Sequence, residues 1–243
     1  MIYDIANLRI DIRNEYPYTT RFCAEYLSED QQSASDIVAT VSAEDLEEEK
    51  KCSPNFPDGY IENICLYRSM CLQLPQFNRM LLHAAILEYG GSAYAFLGRS
   101  GTGKSTHTGL WLQAFDGAKI VNGDKPILEI TDDGVIAYGT PWMGKEGRGC
   151  NTKAPLKGLC FLEQAKENSI RRLSPAEVTS KLFLQILMPT DEDAAVKTLE
   201  LTDRLIQTVP AWLLKCDISE EAVKCSFEEM TKQSFAEAKG RKL

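Results

Sequence analysis

Residues 98–105 read Gly-Arg-Ser-Gly-Thr-Gly-Lys-Ser and satisfy G-x-x-x-x-G-K-[ST] at every fixed position. Each residue type has a task if the ligand is a polyphosphate. Glycines let the backbone curl without Cβ clashes, so that successive N–H groups turn inward toward phosphate oxygens. Lys104 carries a compact charge to the β/γ-phosphates, and the hydroxyl of Ser105 can ligate Mg²⁺. About one chain in a hundred of this length would hold the pattern by chance. The candidate phosphate-binding residues are therefore Gly98, Ser100, Gly101, Thr102, Gly103, Lys104, Ser105 and Thr106. Asp124 follows Lys104 by twenty residues, room for one helix and one strand. That spacing returns a carboxylate to the loop, where it can hold Mg²⁺, directly or through water, or take a proton from an attacking hydroxyl.

The flanks supply elements to position these groups. Ala93-Tyr94-Ala95-Phe96-Leu97 suits a buried strand, and 106–115 suits a helix whose apolar face is Trp111, Leu112 and Phe115. Strand, glycine loop and helix together place an anion at a helix N-terminus. Upstream, 3–13 and 18–27 alternate as two strands of a hairpin, 35–41 is another strand, and 43–51 is a charged helix or turn. A turn-rich loop covers 53–59, and 60–74 carries helical spacing, with a strand possible at its start. Residues 80–89 read as one strand entering the Gly90-Gly91 turn. Downstream, 119–121 is a short strand, 127–130 and 135–138 form a hairpin, 139–149 is an irregular loop, and 156–163 is a central strand. Helices are expected at 175–188, 191–205 and 219–238. A strand-rich first half and a helical end imply an α/β fold with a mixed sheet and flanking helices. The expected organisation is a strand-rich segment, 1–75, packed on a core, 76–243.

Composition narrows the function. A net charge of −8 argues against a general nucleic-acid or anionic-membrane binder, so a nucleotide must be captured by local positive charge. No run approaches the roughly 20 apolar residues of a membrane span. Charge interrupts the first nine residues too early for a secretory signal, so a cytoplasmic protein is expected. The eight cysteines contain no C-x-x-C pair, and the two histidines extend none of them into a zinc pattern. Most sit among apolar neighbours and read as reduced, buried thiols.

Three stretches together, Leu82-His83-Ala84, Tyr94 through Thr106, and Asn122-Gly123-Asp124-Lys125-Pro126, resemble the superfamily of HPr kinase/phosphorylase and phosphoenolpyruvate carboxykinase over roughly 80–165. The shared features are a histidine on the strand before the glycine loop, a Ser-Gly-Thr-Gly-Lys core, and an acid just after the following helix. The resemblance implies a mixed sheet with flanking helices, like the C-terminal domain of HPr kinase, and Mg-ATP-dependent phosphoryl transfer. It implies catalytic roles for Lys104 and Asp124 and a tuning or proton-relay role for His83. A lone histidine on an apolar strand is otherwise a hydrogen-bonded core residue. Asp124 matches the second of two adjacent family aspartates, and the first is Gly123 here. The expected function is an ATP- and Mg²⁺-dependent kinase acting on a hydroxyl of a protein, peptide or small metabolite. The alternatives are a nucleotide-binding regulatory protein without turnover and a phosphoenolpyruvate carboxykinase-related enzyme. In the loop 139–149, Lys145 and Arg148 are candidates to clamp a phosphoryl group or an acidic substrate, as is, more weakly, Lys153. Trp142 reads as a packing residue.

Overall fold

A computed structural model describes residues 1–240; the last three residues of the expected core, 241–243, lie outside them. The chain begins with β1 (Ile2–Ile5) and β2 (Leu8–Ile12), paired antiparallel. The stretch 3–13 is thus a two-strand hairpin and not one strand. Ala6 and Asn7 both take positive φ, 54° and 57°, which matches the twist of a two-residue turn. β3 (Ile37–Ala39) adds parallel to β2. The second strand expected at 18–27 is instead the helix α1 (Pro17–Phe22) and a short 3₁₀ turn. Pro17 presets the first helical φ, and tertiary packing overrides the strand-forming Tyr, Thr and Phe side chains. Ser42 and Asp45 cap α2 (Ala43–Cys52) reciprocally, which settles 43–51 as a helix. α3 (Asp58–Gln73) follows. It passes so close to α1 that a Cβ on Gly59 would sit 2.9 Å from Tyr18 Cβ.

The remaining strands form one nine-stranded mixed sheet. They are β4 (Arg79–Leu81), β5 (Ala84–Tyr89), β6 (Ser92–Leu97), β7 (Lys119–Asn122), β8 (Ile127–Thr131), β9 (Gly134–Tyr138), β10 (Lys153–Gln164), β11 (Ser169–Arg172) and β12 (Ala211–Cys216). The run 80–89 breaks at 82–83 because Leu82 bridges to Ile186 and the His83 N–H donates to the carbonyl of Gln185. β10 joins two parts of the sheet. Its start pairs antiparallel with β9, while its later residues pair parallel with β6 and β12.

Both faces of the central strands are covered, so alternate residues enter different cores. Ala93, Ala95, Leu97, Leu159, Phe161, Ala211 and Leu213 face one core, which α5 (Pro175–Leu182) and α6 (Glu192–Thr208) cover. Tyr94, Phe96, Cys160, Leu162, Trp212 and Leu214 face the other, with α4 (Lys104–Ala114), α7 (Glu220–Thr231) and α8 (Phe235–Gly240). A sheet buried on both sides produces the near-continuous apolar runs of 93–97 and 156–163. The single helix expected at 219–238 divides at Lys232, where φ is 59°. The helix expected at 175–188 stops at Leu182, because Gln185 and Ile186 are drawn into contact with 82–83. A third core joins the N-terminal hairpin and α3 to Leu81, Ile127, Tyr138 and Trp142. The hairpin turn is docked there, with Arg79 Nε donating to the Ala6 carbonyl (2.8 Å) and Asn7 Nδ2 to Tyr138 Oη (2.9 Å).

His107, on α4, is only 3% exposed and packs against Phe96. Ser226 spends its proton on the Val223 carbonyl (2.9 Å) and accepts from Trp111 Nε1 (3.0 Å), so His107 Nε2, at 2.9 Å, must donate to it. Burial pushes this imidazole down to about 4. The unfolded chain binds a proton here below about pH 6.5 while the folded one refuses it, so stability falls as pH drops toward 4. Between pH 7 and 4.5 the wild type should lose about 2–3 kcal/mol more than His107→Gln, measured by urea unfolding at both pH values.

Candidate active site

Topology brings the chemistry to one sheet edge. β5 is antiparallel to both β6 and β7, so the start of β5 lies beside the ends of the other two. Ala84 pairs with Leu97, which sets His83 opposite the first loop residue, Gly98. Ile86 pairs with Asn122, which sets Asp124 on the same edge. The result is a cleft of about 360 Å³ whose lining includes His83, Lys104, Ser105, Asp124, Lys145 and Arg148. Of the expected phosphate-binding set, Ser100, Gly101, Gly103 and Thr106 also line it. Gly98 and Thr102 do not; they border a second groove on the far side of the loop. Lys153 lies away from the cleft, its ammonium over the Tyr138 ring at 5.6 Å.

The loop has the backbone freedom its glycines predict. Gly101 and Gly103 take φ of 81° and 106°, conformations that disfavour any side chain. Thr102 fastens the turn, donating its N–H (3.1 Å) and hydroxyl (2.5 Å) to the Arg99 carbonyl. Gln164, at the end of β10, donates to the Gly101 carbonyl (3.1 Å). α4 begins at Lys104 with no side-chain cap, so its first-turn N–H groups have no helical acceptor and remain available to an anion.

Lys104 is 8% exposed, and its Nζ donates to the Gly98 carbonyl at 2.8 Å. Burial lowers its pKa; the Asp124 charge opposes that, and the Lys125 charge adds to it. His83 Nε2 lies 3.3 Å from Lys104 Nζ and 3.1 Å from Asp124 Oδ1. One ring nitrogen cannot accept from an ammonium and donate to a carboxylate at once, so its proton decides which neighbour it serves. Burial raises the Asp124 carboxyl, but the His83 hydrogen bond and the Lys125, His83 and Lys104 charges outweigh it, and the carboxyl stays below the usual range. Asp124 is therefore ionised near neutrality, and the favoured arrangement has Nε2–H donating to it.

Asp124 is held by residues outside the candidate site set. Asn122 Oδ1 accepts from the backbone N–H of Asp124 (2.8 Å) and Lys125 (2.7 Å), fixing the turn. The Asn122 amide donates to Thr140, and the Thr140 hydroxyl donates to the Lys125 carbonyl. The only hint in the sequence is the Asn-Gly-Asp turn chemistry itself. Lys125 Nζ stands 4.0 Å from Asp124 Oδ2, a second cation beside the first. Lys145 and Arg148 are exposed on the loop, and Arg148 pairs with Glu146 at 3.4 Å. Trp142 is buried and does more than pack, because its Nε1 donates to Asn63 Oδ1 on α3 (3.0 Å) and its ring meets Tyr67 at 4.7 Å. The N-terminal segment thus anchors the root of the loop.

The donor set suits a magnesium ion shared with a substrate. Ser105 and Asp124 offer one hydroxyl and one ionised carboxylate in the same cleft. No group of three His, Cys, Asp or Glu capable of holding a metal occurs among the described residues. One or two protein ligands plus substrate phosphates and water is the usual provision for Mg²⁺.

No protein-family profile matches the chain, and no curated protein matches it. Among solved structures it is similar to the HPr(Ser) kinase/phosphatase from Coxiella burnetii, at 15% identity over 53% of this chain and 98% of that one, with a TM-score of 0.29. That likeness is too slight to carry the site's chemistry. Among the described residues, no helix is long and apolar enough to cross a membrane.

Gly123, where the resemblance leads one to look for a second acid, is closed to any side chain. A Cβ there would stand 2.8 Å from the Met143 carbonyl and 3.0 Å from that of Arg148. Gly123→Asp should therefore not create a second ligand; it should displace 143–148 and lower the melting temperature by roughly 3–10 °C, read by differential scanning calorimetry.

Proposed function

We propose that this chain is an ATP- and Mg²⁺-dependent phosphotransferase that moves the γ-phosphoryl group to a hydroxyl of a protein, peptide or small metabolite. The observation that carries this reading is the Lys104–His83–Asp124 contact. A nearly buried cation suited to phosphate and an ionised carboxylate suited to a hydroxyl share one imidazole at 3.3 and 3.1 Å. The triphosphate lies along the glycine loop, accepting from the first-turn N–H groups of α4 and from Lys104, which loses its Gly98 partner and gains a charged one. Ser105 and Asp124 would hold Mg²⁺, which when bound neutralises charge on the phosphates. Asp124 orients the acceptor hydroxyl toward the γ-phosphorus and receives its proton as the oxygen–phosphorus bond to the acceptor forms and the bond to ADP breaks. His83, donating to Asp124, limits its basicity and holds its direction. Lys145 and Arg148 face the cleft from the loop and meet the transferred charge or an acidic acceptor.

A second reading, a nucleotide-binding regulatory protein without turnover, draws on Gly123, because the backbone of 143–148 occupies the place of another acid. The two readings separate cleanly. Under either, Mg-ATP raises the melting temperature, and Lys104→Ala weakens ATP binding by about 10- to 100-fold. Only the phosphotransferase moves label from γ-labelled ATP to a metabolite or extract fraction, or to water slowly. Asp124→Asn should cut that rate by about 10²–10³-fold while retaining ATP binding, checked by filter binding alongside the transfer assay. Binding with no transfer to any fraction leaves the regulatory reading.

A further inference from the structure

The glycine loop is a wall with two sides. One borders the charged cleft; the other borders a groove of about 680 Å³, and Ser100 and Gly101 line both. The groove opens at the carboxyl ends of β6 and β10, which are adjacent and parallel, and such crevices are where open α/β sheets take their ligands. Its chemistry is unlike that of the cleft. Phe161 and Leu162 are buried against it, and Leu184, 65% exposed, makes an apolar rim. Glu163 and Lys181 neutralise each other at 3.1 Å. Arg99, exposed at the loop, leaves one positive charge on the side a phosphate chain would cross.

Gln185 is the informative residue. It is 6% exposed and lines the groove, yet its Oε1 is buried without a hydrogen-bond partner. Buried amide oxygens almost always find a donor, so an orphan marks a cost accepted for another reason. The structural duty of this residue is met by its backbone, whose carbonyl accepts the His83 N–H at 2.7 Å. The amide oxygen breaks no hydrogen bond if it turns into the groove, and it lacks only a donor.

We propose that this groove takes the base of the donor nucleotide, an aminopurine whose exocyclic amine donates to the Gln185 amide while Leu184 covers the ring face. The inference rests on the nucleotide reading above. It divides the ligand across the loop, with the phosphates in the cleft and an uncharged heteroaromatic ring in a nearly neutral groove. The Lys145–Arg148 side of the cleft is then left to the acceptor.

Isothermal titration with Mg-ATP and with base-free Mg-tripolyphosphate tests it. Gln185→Leu and Leu184→Asp should each weaken ATP binding about 3- to 10-fold and leave tripolyphosphate unchanged, while Lys104→Ala weakens both. The unliganded Gln185→Leu protein should melt no lower than wild type, since the orphan oxygen is gone. Should that variant misfold, Leu184→Asp carries the test from an exposed position. ATP affinity unchanged in the groove variants, with Lys104→Ala still damaging, overturns the base site and spares the nucleotide reading. A wild-type protein that binds tripolyphosphate as tightly as ATP also overturns the base site. One that binds neither overturns both.

Discussion

An ammonium group placed largely out of water must be satisfied locally, and Lys104 sets that demand at the centre of this fold. Its surroundings come from three different strand ends: it donates to the Gly98 carbonyl after β6, His83 before β5 stands beside it, and Asp124 after β7 supplies the opposing charge. None is near another by local geometry. They meet because β5 runs against both of its neighbours, so that one beginning and two endings share an edge. Shifting the β5–β6 register by one residue would turn alternate side chains to the opposite core and carry His83 away from the loop. The two cores therefore enforce the register, and the register assembles the site.

What can be read from the chain and what cannot follows from how local each determinant is. The glycine loop is legible because phosphate recognition by backbone amides needs glycine at fixed intervals. The distance from Lys104 to Asp124 is legible because one short helix and one short strand fill it. Asn122 and Thr140 are nearly silent, since a turn asparagine and a loop threonine occur in many chains without holding a carboxylate. Gln164 and Gln185 give no sequence signal at all. Their parts depend on β10 lying beside β6 and on 185–186 lying beside 82–83, which are long-range pairings.

The same logic accounts for the fold. The buried central strands announce themselves as apolar runs, but β11 is mostly exposed and has no alternation to detect. β12 is a short apolar run, Ala211 to Leu214, followed by Lys215 and Cys216, and periodicity cannot assign so short a run to strand or helix. α1 carries residues that favour strands, and only its seat against Gly59 and the preset φ of Pro17 make it helical. The composition at Gly123 is visible, yet its reason, the carbonyls of Met143 and Arg148 lying over it, is a fact of three dimensions.

The hydrogen bond from Trp142 to Asn63 has a mechanical meaning. The cleft-lining residues Lys145 and Arg148 hang from a span pinned at one end to α3 and at the other to β7, where Asn122 bridges to Gly149. Between those rivets lie only residues 143–148. The two cationic residues of the loop are thus carried on a short span, and the first seventy-odd residues are the post to which it is tied.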